Sequence, residues 1–332
     1  MQFNSFEFLW LFPIIFVLYY LVLYRDRWMT KIPRLANYVL IVISYGLYTK
    51  YNPVYTIVLL GVTAVTFLAA LKVEKDQAFG RKRYLVWTGI ILALIPLILF
   101  KYYNFICSQL SAGLSLCGVS VGLPGLNWVM PLGISFFTLQ AVGYLADVYL
   151  QRIKPEHNWW DYMLFVCFFP QIASGPISKA KDLLPQIKSL RSFNYAQAVQ
   201  GLKWFLWGMF IKVVVADTLG MRIHVVLDNY QNNPGIMCLI CAFFYSFQIY
   251  CDFAGYSFMA VGVGELLGFE LINNFRRPYF SQTVTEFWHR WHISLSTWLK
   301  DYIYIPLGGN RCSKARNYFN IFMTFMVSGI WH

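Results

Sequence analysis

Charge is what this chain has least of. Asp, Glu, Lys and Arg make up only 13% of its 332 residues, about half of what an ordinary soluble domain carries, which excludes a surface built to face water on every side. Acidic residues are scarcer than basic ones, 15 against 27, so the formal net charge is +12. The basic residues lie in short clusters between apolar runs rather than along one polar face. That pattern excludes nucleic acid as a partner and reads as a determinant of membrane orientation.

Histidine is rarer still, with five in the chain: His157, His224, His289, His292 and His332. An iron-dependent membrane desaturase or hydroxylase needs several histidine clusters, and five scattered residues are too few. The seven cysteines sit mostly in apolar stretches and form no disulfide or zinc framework. Cys238 and Cys241 have CxxC spacing, but they lack the strand and helix context of a redox motif. Neither an internal repeat of fixed period nor a low-complexity tract is present, so one membrane-embedded domain over residues 1–332 is the simplest organisation.

Apolar and aromatic residues are abundant, at 58% and 19%, and Tyr and Trp crowd the ends of apolar runs as interfacial belts do. The fold class expected is all-α, a polytopic transmembrane helical protein. Candidate spans are residues 6–24, 35–50, 54–71, 84–106, 128–150, 160–177, 199–218, 236–256 and 317–332, most near the ~20 residues that a spanning helix needs. The first is too long for the core of a cleavable signal, has no basic residue before it and is followed by Arg25 and Arg27. It reads as a spanning helix with its N-terminus outside.

Arg25, Arg27, Lys31 and Arg34 after the first span, and Lys72, Lys75, Arg81, Lys82 and Arg83 after the third, place those two loops in the cytoplasm. The run at 162–177 contains Pro170, Gly175 and Pro176 and has basic residues on both flanks, so it is expected to dip in and return. Residues 286–300 are expected to do the same. Irregular backbone at that depth is tolerated only against protein or a water-filled cavity.

Ionisable residues in or near the apolar runs are Asp147, Lys212, Asp217, Asp252 and Glu265, and such residues mark a pathway or site by default. His289 and His292 are three apart and would share one face of a helix, which makes a metal conceivable, although none is assigned. His332 ends an apolar run. A neutral imidazole is the cheapest ionisable group to bury there, and desolvation keeps it neutral, as a general base requires.

Three blocks carry a resemblance: Tyr250-Cys-Asp-Phe-Ala-Gly-Tyr-Ser257, Glu286-Phe-Trp-His-Arg-Trp-His-Ile-Ser-Leu-Ser-Thr-Trp298 and Asp301-Tyr-Ile-Tyr-Ile-Pro-Leu-Gly-Gly-Asn-Arg311. With Met130-Pro-Leu-Gly-Ile-Ser-Phe-Phe137, Phe169-Pro-Gln171 and Ser328-Gly-Ile-Trp-His332, they resemble the membrane-bound O-acyltransferases, most of all the alginate O-acetylating type. The blocks run in order along the whole chain. Two positions depart from the pattern: His289 stands where relatives often have Arg, and Phe258 where they usually have Asp.

The resemblance implies a ring of helices around a thin central region where a cytoplasmic donor meets an external acceptor. It makes His332 the catalytic histidine and His292 the polar-motif histidine. Arg290, Asn310, Asp252 and His289 are secondary candidates for substrate binding. The implied reaction moves an acyl group, acetyl by preference, from a thioester such as acetyl-CoA or an acyl carrier, with no tightly bound cofactor. The acceptor would be a hydroxyl of an exported polysaccharide such as alginate, or of an intermediary protein.

The implied setting is the bacterial plasma (inner) membrane, with membrane lipid around the chain and a periplasmic or extracellular acetyltransferase as partner. Rival readings are D-alanyl transfer to teichoic acid, and a transporter or scaffold of an export complex. Residues 317–332 give roughly 24 Å of helix, short of the ~30 Å hydrocarbon core. The family pattern also continues past Trp331-His332, so the chain is expected to be C-terminally incomplete and not to catalyse by itself.

Overall fold

The computed structural model describes residues 3–28, 34–50, 52–76, 78–118, 124–172 and 175–332. Lys31 of the first basic loop and residues 173–174 of the broken apolar run lie outside the described residues. Every regular element among them is helical. Four helices are long and apolar enough to cross a membrane: α1 (Phe6–Trp28), α3 (Pro53–Lys75), α4 (Phe79–Leu116) and α11 (Gly235–Leu266). The apolar α2 (Leu35–Thr49) is shorter.

The ends of these helices follow from local chemistry. Asn52 caps α3 by accepting from the Val54 amide, Pro53 takes the first helical position, and Lys72 and Lys75 sit in the last turn. There a cation is favoured by the exposed carbonyls. Two expected boundaries move. α4 runs ten residues past position 106 because nothing between Pro96 and Gly113 breaks it, and α11 continues past 256 through an apolar, small-residue stretch to Leu266.

The chain forms two compact units, the first comprising residues 1–40, 173–178 and 185–332 and the second residues 41–172 and 179–184. In the second, α3, α4 and α5 (Ile134–Tyr149) pack closely: a Cβ on Gly89 would lie 2.8 Å from both Ala69 Cβ and Leu145 Cδ2. α5 begins only at Ile134, not at the expected 128, because Gly133 adopts a left-handed φ of 70° after Pro131. The run from residue 160 is not one span either. It breaks into α6 (Trp159–Cys167) and α7 (Phe169–Ile172), and at the break the Phe169 amide donates to Ser44 Oγ at 3.2 Å. Its polar groups are satisfied inside the unit, as buried irregular backbone requires. Tyr162 Oη lies 2.7 Å from Thr66 Oγ1, and Gln140 donates to the Phe165 carbonyl at 2.7 Å.

The first unit holds the site. Its spine is α11, alongside which run α9 (Tyr195–Met209), a π-helix (Phe210–Asp217) and α10 (Thr218–Asp228) without interruption. Two reciprocal glycine pairs set how close α9 and α11 come. A Cβ on Gly208 would lie 2.5 Å from the Gly255 carbonyl oxygen, and one on Gly262 would lie 2.5 Å from that of Gly201. Close approach of this kind replaces the hydrophobic drive that lipid cannot supply. Two tyrosines of α1 tie it to the end of α11, Tyr19 donating to the Leu267 carbonyl at 3.0 Å and Tyr20 to that of Leu266 at 2.9 Å.

Candidate active site

The polar motif at 284–299 is two short helices, α12 (Val284–Arg290) and α13 (Ile293–Leu299). α12 starts with a reciprocal cap: Thr283 Oγ1 accepts from the Glu286 amide at 3.1 Å, and Glu286 Oε2 accepts from the Gln282 amide at 2.8 Å. It ends because Trp291 is extended and His292 is left-handed, with φ 42° and ψ 55°. A non-glycine residue in that region costs about 1–2 kcal/mol.

Residues 274–276 hold the break in place. Arg276 donates its amide to the Arg290 carbonyl at 3.0 Å. Asn274 accepts from the Ile293 amide through its carbonyl at 3.0 Å, and from the Ser294 amide through Oδ1 at 3.1 Å. On the other side, Ser294 Oγ accepts from the Ile177 amide at 3.0 Å.

The break corrects one expectation. His289 and His292 do not share a helical face, because the helix stops between them. His289 is exposed and His292 is 2% exposed. Among the described residues, no three His, Cys, Asp or Glu side chains converge as a metal site would require.

His292 instead faces His332. The ring centroids are 6.4 Å apart and nearly perpendicular, at 82°. Phe253 of α11 presses edge-on against the His292 ring at 4.7 Å, and Trp331 lies at 6.1 Å. Burial, and secondarily the neighbouring His332, push the His292 imidazole down to about 3, so the ring is neutral near pH 7.

Between the two histidines lies a cavity of about 170 Å³. Trp288, Trp291, Leu295, Ser296 and Leu299 line one side. Thr324, Phe325 and Ser328 of α14 (Lys314–Trp331) line the other. The walls are mostly aromatic and aliphatic, and no carboxylate is among the lining residues.

Of the two, His292 is the buried member. The side of α14 that carries Thr324 and Ser328 faces the cavity, while its other side is open. His332 Nδ1 lies 2.9 Å from the Ser328 carbonyl oxygen. A neutral ring protonated at Nδ1 donates there and keeps the lone pair on Nε2.

The remaining candidates lie elsewhere. His289 and Arg290 line a second, larger cavity, and Arg290 also pairs with Glu286 at 2.5 Å. Asp252 is drawn to the π-helix: its Oδ1 lies 2.7 Å from Lys212 Nζ, which also reaches Asp217 at 2.5 Å. Asn310 is exposed in the turn that follows a second π-helix, Lys300–Tyr304, and lines neither cavity.

Sequence reasoning missed Ser328, Ser296 and Phe253. Only Ser328 had a readable signal, lying four residues before His332 and so on its face of a helix. Phe253 reaches His292 across 39 positions, by packing alone.

The comparisons with known proteins agree with the motif blocks. The sequence model of MBOAT, the membrane-bound O-acyltransferase family, matches residues 16–332. The probable alginate O-acetylase AlgI of Pseudomonas aeruginosa is 37% identical, over 100% of this chain and 62% of its own length. The peptidoglycan O-acetyltransferase of Helicobacter pylori is 34% identical, over 91% of this chain and 61% of its own length. The teichoic acid D-alanyltransferase of Bacillus subtilis is 27% identical, over 74% of this chain and 62% of its own length. The chain thus spans somewhat over three fifths of the length of the curated relatives it matches. With four membrane-length apolar helices and a family match that covers both facing histidines, this membrane protein belongs to the membrane-bound O-acyltransferase family.

Proposed function

We propose that the protein transfers a short acyl group, acetyl by preference, from a thioester donor to a hydroxyl of an exported polysaccharide or an intermediary protein. One observation carries this reading: two histidines, one of them buried and neutral, face each other across a small, largely apolar cavity. His332 Nε2 takes the proton of the acceptor hydroxyl as its oxygen attacks the thioester carbonyl carbon. The C–O bond forms, the C–S bond breaks, and the imidazolium returns the proton to the departing thiolate. His292 stays neutral and orients the reacting carbonyl or hydroxyl. Its left-handed backbone and the Phe253 contact fix the ring in advance of substrate.

The absence of a carboxylate among the lining residues disfavours D-alanyl, whose ammonium would need a counter-charge. The names of the relatives, which speak of alginate, peptidoglycan and teichoic acid, support a polymer of that kind as acceptor. Acetyl-CoA or an acyl carrier would be the donor. The setting would be the bacterial inner membrane, with a periplasmic acetyltransferase receiving the group where a relay is used.

The test is O-acyl transfer in membranes of cells that produce the protein from its whole gene. His332→Ala and His292→Ala are each expected to lower transfer at least 100-fold, within the usual range for a positioned base. His224→Ala, exposed on α10, is expected to leave it unchanged. Full transfer by a normally expressed His332→Ala variant would refute the role.

A further inference from the structure

Asn274 belongs to the connection between α11 and α12, yet it is 0% exposed. Burial of a polar side chain calls for partners, and the acceptors of Asn274 have them. Its main-chain carbonyl takes the Ile293 amide at 3.0 Å and its Oδ1 takes the Ser294 amide at 3.1 Å. These are the first two amides of α13, groups that a helix leaves without a partner of its own.

Five other helices are capped by the residue that opens them. Asn52, Asn158, Asn194, Thr283 and Ser313 each accept from an amide of the first turn that follows, in keeping with the preference for short polar side chains there. α13 opens with His292, which is left-handed rather than extended and makes no side-chain cap hydrogen bond. Asn274 supplies the cap instead, so the imidazole is not drawn into capping and can face the cavity.

The same step of chain governs the packing around the ring. Phe275 is 2% exposed and meets both Phe253 and Trp291 edge-on at 5.1 Å. Phe253 in turn bears on the His292 ring.

We propose that Asn274 is the positioning residue that sets the His292 ring in its cavity. A left-handed backbone is disfavoured for any residue with a Cβ, and it persists here because two hydrogen bonds fix the residues that follow. Without Oδ1 the Ser294 amide, on a residue 4% exposed, would be buried unpaired. The chain relieves this by rotating residue 292 towards an extended cap conformation, which swings the imidazole out of the cavity. Asn274 is not among the residues that line the cavity, so it acts through His292. Its value for catalysis rests on the part assigned to His292 in acyl transfer; its hold on the ring does not.

The test compares the full protein with its Asn274→Ala and Asn274→Asp variants in detergent micelles. Diethyl pyrocarbonate modification of His292 is followed by mass spectrometry, and the buried Cys167 of the second unit is probed with a maleimide to register general loosening. Asn274→Ala is expected to raise the His292 modification rate by roughly tenfold or more while Cys167 stays protected. Asn274→Asp keeps an acceptor at this position and is expected to behave as the parent does. A second measurement needs no variant: in the parent, the Ile293 and Ser294 amides should resist hydrogen exchange as the interior of α13 does. The proposal is overturned if His292 stays protected in Asn274→Ala, if Cys167 becomes reactive in step with it, if Asn274→Asp matches Asn274→Ala, or if the two amides exchange freely. In membranes, Asn274→Ala is expected to lower kcat for transfer roughly tenfold at an unchanged donor KM. Parent-rate transfer by a variant whose His292 has become reactive would refute the catalytic part given to His292 and leave its placement by Asn274 supported.

Discussion

His292 combines three properties: a left-handed backbone, 2% exposure and an aromatic edge against its ring. Its depressed proton affinity has a consequence for stability. The unfolded chain protonates this imidazole near its ordinary value of about 6.5, whereas the folded chain holds it neutral down to about 3. Between those values the unfolded state binds more protons, so the contribution is fully present above about pH 6.5 and is lost progressively as pH falls. His292→Gln, which cannot titrate, is therefore expected to show a shallower loss of thermal stability than the parent between pH 6.5 and 4, measured by melting in detergent. Parallel curves for the two proteins would contradict the assignment. That His292 and His332 are the candidates was legible in the sequence from their rarity and the motif around them. Which of them is buried was not, because burial depends on Phe253 and Trp331 arriving from other segments.

The helices α9 and α11 meet through glycines, and the sequence alone does not distinguish these from glycines that meet nothing. Gly208→Ala would drive a methyl group into the Gly255 carbonyl at 2.5 Å, backbone that has no rotamer with which to yield. A loss on the order of 1–3 kcal/mol is expected. In contrast, a Cβ on Gly46 of α2 meets nothing within 4 Å. Gly46→Ala is therefore expected to be neutral or to gain up to about 1 kcal/mol from helix propensity. Thermal unfolding of the two variants side by side checks the pair, and an equal effect would show that the α9–α11 seam is looser than described.

The seam matters beyond its own stability. The cluster of Ile211, Ala216, Cys251, Ala254, Phe258 and Phe275 packs partly against Phe253 and Trp291, so a shift of α9 along α11 would move the groups that hold His292. Lys212, bridging Asp217 and Asp252, pins the π-helix to α11 at the same level. Asp252, a candidate for substrate binding, is ion-paired with Lys212 there.

At the scale of the whole molecule, orientation follows from where the basic clusters lie. The N-terminus is expected outside, with residues 72–83 and 301–316 in the cytoplasm. Single cysteines placed in those segments should resist a membrane-impermeant maleimide in intact cells and react after permeabilisation. Labelling of 72–83 from outside would reverse the topology.

The sequence by itself determined the membrane setting, the helical class and the family, and it singled out the two candidate histidines. Those properties are carried by composition, by period and by short contiguous motifs, all of which survive without knowledge of contacts. Tertiary structure alone decided that the polar motif breaks at His292, that His289 and Arg290 face away from the histidine cavity, and that Arg276 and Arg277 join them in a second one. A helix break stabilised by Asn274 from 18 residues upstream leaves no local signature. A cavity exists only where side chains distant in sequence fail to fill the space between them.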